Sequence, residues 1–354
     1  MAGPSETASD VCVIGGGIIG LTIALGAADA GLSVRLLERG QPGRKASWAG
    51  AGMLPPAAPA CSRDFSEMIR ASHDLWPDLS AMLHERTGLD NGFRRCGGFE
   101  LASDEATRTA EMAAWAERGV AARPLDADEL AARCPAITAD AGRWYELPEH
   151  WQVRNPRHLR ALEVACRAAG VDIVSHSPVR SVRDRQRHVD IATEAATLSA
   201  GVAVVAAGAW SETLLHPLRP GEPNRDAVYP VRGQIALLQT DVRLPGIVQH
   251  GTRYLVPRLD GRVLVGATVE EVGFDERTTV EAQAELLADA VRLVPALARA
   301  EPIRQWAGLR PQRLAGPLIG PVRPRVYAAC GHFRDGLCLS PLTGQLIVDA
   351  ILAS

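Results

Sequence analysis

Lysine is almost absent from this chain: Lys45 stands alone, and the rest of the 38 basic side chains are arginine. Net charge is small as well, −3 over 354 residues. That balance excludes a protein built mainly to grip nucleic acid or an anionic membrane. The seven cysteines (Cys12, Cys61, Cys96, Cys134, Cys166, Cys330 and Cys338) are odd in number and scattered, with no C-x-x-C. A reduced cytoplasmic setting fits this pattern better than a disulfide framework. The longest uncharged stretch, Val11 to Ala28, is broken by three consecutive glycines and preceded by Glu6 and Asp10. It therefore reads as neither a membrane span nor an export signal, and the chain reads as soluble. G-x-S-x-G, H-E-x-x-H and the P-loop lysine are all missing, and the nine histidines show no ligand spacing. No hydrolytic site or metal centre is indicated. Cys330 and His332, two apart on an extended segment, point the same way without forming a nucleophile–base pair, so Cys330 reads as core.

What is present is enough apolar residue, 47%, for a packed core, over a length that suggests two domains or two interleaved halves. The strongest signal lies at the start. Val11–Ile14 is a short apolar run of the kind found in a strand buried on both faces. G-x-G-x-x-G follows at Gly15, Gly17 and Gly20, then an alanine-rich helix closed by Gly31, then a second strand from Ser33 to Leu37 ending in Glu38. Gly15 serves the tight turn, Gly17 the approach of a pyrophosphate, and Gly20 close packing of helix on strand. The helix N-terminus favours phosphate, and Glu38 suits ribose hydroxyls while repelling a 2′-phosphate, so NADP is disfavoured. This unit does not separate NAD from FAD. The next segment, Arg44 to Pro56, tips the choice: it joins two cations to a run of tiny residues, with a hydroxyl at Ser47 able to donate to a phosphate. A later strand, Val202–Val205, runs into similar small residues, Ala206 to Ser211, including Gly208.

Further along, the pattern predicts a helix from about Phe65 to Arg86, a strand Phe99–Ala102, and amphipathic helices over Glu105–Arg118 and Asp126–Arg133. Asn155-Pro156 opens another helix, followed by a strand at Val171–Val174. The alternating arginines from Arg180 to Arg187 read as the solvent face of a strand or hairpin. Val231–Gln239 and Gly246–Thr268 look antiparallel, with a hairpin turn at Asp260-Gly261. A charged helix over Thr278–Leu293, a strand at Val326–Cys330 and a last helix from about Pro341 complete the pattern. The expected fold is α/β: a discontinuous Rossmann-type dinucleotide domain (8–84, 146–222 and 305–354) with a second, mainly antiparallel α+β substrate domain (85–145 and 223–304).

Three runs carry a family resemblance over nearly the whole chain: Val13–Gly20, Ala49–Leu54 and Trp306–Pro311. Tyr254–Arg258 and Gly331–Gly336 add to it. With them the chain resembles the amine oxidases of the D-amino acid oxidase type, and most closely the bacterial glycine oxidases of thiamine biosynthesis. The resemblance implies noncovalent FAD, with Arg310 and Tyr254 holding a substrate carboxylate and Arg334 also facing the substrate. A guanidinium suits that role because it grips a carboxylate through two parallel bonds. Cofactor contacts carry over to Ile18, Ile19, Glu38, Arg39, Ala46, Ser47, Ala51, Gly52, Met53 and Val179. They extend to the late loop of Gly331, His332, Phe333, Arg334, Asp335, Gly336, Leu337 and Cys338. No catalytic group beyond the flavin is implied. The implied reaction is oxidative deamination of glycine, sarcosine or small D-amino acids, with oxygen as acceptor, in a homotetramer. A dehydrogenase of the same fold, passing electrons to a quinone or a protein, is the alternative. One run departs from the family pattern: Gln312–Gly316 stands where a threonine–aspartate–glycine run is common, at the pocket rim.

Overall fold

The computed structural model describes residues 9–58, 62–137, 143–219 and 226–354; Cys61 lies outside them. Five parallel strands form the spine of the first sheet, in the spatial order Asp172–Val174, Val34–Leu37, Ser9–Ile14, Thr197–Val205, Val326–Cys330. In chain order that is third, second, first, fourth, fifth, so the connections part on either side of Ser9–Ile14, at the switch point where doubly wound sheets bind ligands. Val11, Val13, Val204 and Val205 are fully buried. The helix Ile18–Asp29 is apolar on every side, because it lies between that sheet and the helices Asn155–Ala168 and Ser340–Leu352. Val179–Asp184 and Val189–Thr193 add an antiparallel edge, from which Arg180, Arg183 and Arg185 point outward.

The second sheet runs Glu301–Gln312, Tyr229–Gln239, Arg262–Gly266, Arg253–Pro257, Ile247–His250, Gly98–Leu101, Trp144–Leu147, Arg123–Pro124. All its pairs are antiparallel except Ile247–His250 with Gly98–Leu101. Alternation divides its two faces. Ala236, Leu238, Leu255, Val263 and Val265 pack under the helix Val280–Leu293, through Leu286, Ala290 and Leu293. The opposite face, with Ile235, Val256 and Leu264, meets Ala51 and Met53 from the first half of the chain.

Two elements differ from the sequence pattern. The long helix expected from Phe65 to Arg86 is two helices, Arg63–Asp74 and Trp76–Thr87, which part at Leu75. Pro77 lacks an N–H to continue the first and suits the first turn of the second. Residues 301–312 form one long strand of the second sheet, so the boundary expected at 305 falls inside it. Among the described residues no helix is long and apolar enough to cross a membrane.

Candidate functional site

Most of the residues singled out from sequence sit at the carboxyl ends of the parallel strands. Gly15–Gly20 follow Ile14, Glu38 and Arg39 follow Leu37, Gly208 follows Val205, and the 331–338 loop follows Cys330. Val179 opens the edge hairpin that follows Val174, and both residues pack against the same apolar cluster. The glycine turn is tight: Gly15 has φ of 113°, and a Cβ there would stand 2.3 Å from the Ala206 carbonyl. A Cβ on Gly20 would stand 1.9 Å from the Gly15 carbonyl, so only glycine lets the helix start so close to the strand. Gly17 is met by nothing nearer than Ser47 Oγ at 3.3 Å.

That open face is a cradle for an anion. The first turn of Ile18–Asp29 carries no acidic residue and no side-chain cap at Gly17. Its leading N–H groups have no intrahelical acceptors. Ser47 Oγ accepts the Ile18 N–H at 3.0 Å, which leaves its own proton free to donate. Asn155 Nδ2 donates to the Ser47 carbonyl at 2.8 Å and fixes the short helix Ala46–Ala49 that carries it. The Glu38 carboxylate, buried to 8% exposure, accepts from Gly16 N–H at 2.7 Å and Gly40 N–H at 2.8 Å. It braces the turn while keeping unused lone pairs. Arg39 lies over the Trp210 ring, 3.7 Å from its centroid. The chemistry of this donor set, N–H groups and a hydroxyl beside a single acid at the second strand's end, fits a dinucleotide such as FAD.

The second sheet presents its open face to the same loop. Tyr254, Gly266, Ile235 and Trp306 share one rung across four strands, and Gly308 and Arg310 follow Trp306 on the same side. Trp306 Nε1 donates to the Ala49 carbonyl at 3.0 Å, and a Cβ on Gly308 would stand 2.6 Å from Ala49 Cβ. Arg258 reaches across from its hairpin to donate to the carbonyls of Ala51 (2.6 Å) and Val153 (3.2 Å) and to Gln152 Oε1 (2.8 Å). Gly52, with φ of 80°, lies so close to the Val153 carbonyl that a Cβ would stand 2.0 Å from it.

Arg310, Tyr254 and Arg334 come together at this junction. Arg310 Nη1 donates to the backbone carbonyls of Thr268 (3.0 Å) and Arg232 (3.3 Å). It forms no ion pair among the described residues: the nearby Glu270 is taken by Arg232 at 2.5 Å. Burial pulls the Arg310 guanidinium below its ordinary pKa, and contact with Tyr254 partly restores it. Burial raises the Tyr254 phenol, while Arg310 and Arg334 oppose that rise. The result is a half-buried cation beside a neutral phenol, with no anion of its own. The 331–338 loop is held alongside, because Phe333 N–H donates to the Pro311 carbonyl at 2.8 Å and His332 bridges to Gln312. Arg334 stays exposed over the Phe333 ring. Within the loop, burial pushes Asp335 up to about 6 and His332 down to about 4, and His332 Nε2 lies 3.1 Å from Thr343 Oγ1. Cys338 is buried under Ser72 and Trp76, both of which donate to its carbonyl. The departing run 312–316 sits against this loop, with Arg313 Cβ 2.9 Å from where a Gly331 Cβ would be.

Sequence reasoning passed over Gly233, Gly266 and Arg232, and it met Gly308 and Arg258 only as members of the family runs, without a role. The available signal was the alternation Trp306, Gly308, Arg310, which marks one face of a strand.

Comparison with known proteins follows the same lines. The model of the DAO family, FAD dependent oxidoreductase, matches residues 10–350. A glycine oxidase from Pseudomonas aeruginosa is 38% identical over 346 residues, covering 96% of this chain and 93% of that protein. A bifunctional protein ThiO/ThiG of Synechocystis sp. is 33% identical over 98% of this chain and 52% of its own length. The crystal structure of a glycine oxidase from Geobacillus kaustophilus superposes with a TM-score of 0.92 at 32% identity, covering 99% of this chain and 96% of that one. With the dinucleotide cradle and the shared architecture already in place, the chain belongs to the DAO family of FAD-dependent oxidoreductases.

Proposed function

We propose that the protein catalyses FAD-dependent oxidative deamination of glycine, with sarcosine and small D-amino acids as further substrates. Glycine, oxygen and water give glyoxylate, ammonia and hydrogen peroxide. The observation that carries this reading is Arg310: a half-buried guanidinium with no ion-pair partner among the described residues, beside the Tyr254 phenol, on the sheet face that meets the Ala46–Met53 loop. Such a group calls for a carboxylate. With Tyr254 oxygen against Arg310, its hydroxyl proton is free to donate to the same carboxylate.

FAD would be held by Gly15, Gly17, Ile18, Ile19, Gly20, Glu38, Arg39, Ala46, Ser47, Ala51, Gly52, Met53, Val179, Gly208 and the 331–338 loop. When bound it supplies the two-electron acceptor for the substrate Cα–H bond and the route of those electrons to oxygen. The chain's own work is positional: Arg310 and Tyr254 fix the carboxylate, and Arg334 adds positive charge at the entrance. Holding reactants in register in this way supplies much of a rate enhancement without a protein base. The parallel sheet with its helices is the FAD-binding unit, and the antiparallel sheet, built from strands within 98–147 and 229–312, is the substrate unit. Six described cysteines are free, which suits a cytoplasmic enzyme. By resemblance it acts as a homotetramer and serves thiamine thiazole synthesis.

The test is anaerobic mixing of the yellow holoenzyme with glycine, sarcosine, D-alanine and D-proline. Bleaching of the flavin is expected. Arg310→Leu should stay folded and yellow yet lose that reduction, since stranding one partner of a buried charge pair costs about 2–5 kcal/mol. No bleaching by any amino acid overturns the proposal.

A further inference from the structure

Arg310 and Tyr254 each lie flat on a glycine. A Cβ built on Gly233 would stand 2.2, 2.3 and 2.3 Å from Nη2, Cζ and Nη1 of Arg310. Three atoms of one plane at nearly one distance place that plane face-on to the position a Gly233 Cβ would take. A Cβ on Gly266 would stand 2.4 Å from each of Cε2, Cζ and Oη of Tyr254. The two glycines share a face of adjacent strands, since Gly266 pairs with Ile235, two residues on from Gly233. Neither has a φ in the left-handed region, so φ does not call for glycine at these points. Glycine inside a strand weakens it and often marks the close approach of another group. Here the group is identified. We propose that Gly233 and Gly266 are positioning residues for the substrate carboxylate: they let Arg310 and Tyr254 lie against the sheet at the one depth where the carboxylate meets both.

The consequence for Arg310 is specific. Pressed to the floor, its Nη1 reaches the Thr268 and Arg232 carbonyls and both its protons are taken. The end-on grip through Nη1 and Nη2 is thereby closed, and the edge formed by Nη2 and Nε remains for Tyr254 and the ligand. A methyl on Gly233 lifts the guanidinium by about an ångström, and a misplacement of that size costs roughly 100-fold in reaction rate. Gly308, on the same face, meets Ala49 Cβ at 2.6 Å and none of the Arg310 atoms among its nearest neighbours, so it serves the loop and is an internal contrast.

The inference rests on Arg310 and Tyr254 being the carboxylate grip, and the experiment keeps the two apart. Acetate is titrated into holoenzyme while the flavin spectrum is followed, and glycine is titrated anaerobically. Gly233→Ala should weaken acetate binding, raise the glycine concentration for half-maximal reduction and slow flavin reduction by about 100-fold, with the FAD dissociation constant unchanged. Gly266→Ala should act in the same direction, whereas Gly308→Ala should weaken FAD instead. In an Arg310→Lys background, Gly233→Ala should have almost no further effect on acetate. If Gly233→Ala fails to fold, adding Arg310→Lys should restore folding, because the methyl's nearest neighbours are guanidinium atoms. Parent-like acetate affinity in Gly233→Ala overturns the inference, as does an equal loss in both backgrounds or a misfold that Arg310→Lys leaves unrepaired. A parent holoenzyme that responds to neither acetate nor any amino acid overturns the functional reading, and this inference with it.

Discussion

Acid should destabilise this protein well above the range in which carboxylates titrate. His73, His150 and His158 are buried at 0%, 4% and 0% exposure, and burial pulls their pKa values to about 4, 3 and 3. Their partners suit neutral rings. His73 Nε2 lies 3.1 Å from the Glu149 carbonyl and so carries the proton. Asn91 Nδ2 lies 3.2 Å from His158 Nδ1 and donates to it, which leaves the His158 proton on an Nε2 without a partner. In the unfolded chain each ring protonates near the ordinary 6.5, but the folded protein takes no proton until about 4 or below. The unfolded state therefore binds more protons as pH falls through that window, and stability falls with it. Glu100 acts the other way, because burial raises its carboxyl to about 7 and the folded state holds that proton first. In the 331–338 loop, His332 (about 4) and Asp335 (about 6) offset each other. Three histidines against one carboxyl leave about two protons, or roughly 3 kcal/mol per pH unit near pH 5.5. Urea unfolding at constant ionic strength between about pH 6.5 and about pH 5 measures the slope. His158→Gln should reduce it by about 1 kcal/mol per pH unit. Stability that is level or rising as pH falls, or an unchanged slope in His158→Gln, would refute the reasoning.

Glu38→Ala removes the acceptor of the Gly16 and Gly40 N–H groups, charge-assisted bonds worth about 1.5–3 kcal/mol each, and should lower the flavin-to-protein ratio of the purified enzyme. Gly17→Val should do the same, because a Cβ already meets Ser47 Oγ at 3.3 Å and its two methyls drive that hydroxyl off Ile18; fully yellow variants with parent FAD affinity would count against both assignments. Arg258→Met strands the Ala51 and Val153 carbonyls and should cost about 1–3 kcal/mol of apoprotein stability for each in urea, together with weaker FAD binding as the 51–53 loop loosens. A variant as stable as its parent would show that the loop is held by other contacts.

Features that the sequence reveals most readily are those whose causes lie within a few residues. Gly15 needs its positive φ, Gly20 needs room beside the Gly15 carbonyl, and Asp126 caps its helix through a box with Glu129; each pattern closes on itself in the chain. The strand Glu301–Gln312 hides for the opposite reason. Pro302, Gly308 and Pro311 look like breakers, yet they are tolerated because this is the terminal strand of its sheet and one side of its backbone needs no ladder partner. That permission comes from the sheet's order, which no local window contains.

The substrate grip belongs to the same class. Arg310 reaches Gly233 from 77 positions away and Tyr254 reaches Gly266 from 12, so the fit between each pair exists only after the sheet has formed its register. A glycine at a positive φ is explained by that φ. Gly233 and Gly266 have none, and such a glycine inside a strand points to a side chain from elsewhere that occupies the space. On this face both occupants are the groups proposed to bind substrate. The positions least explained by local structure are thus the ones that connect the antiparallel sheet to the chemistry.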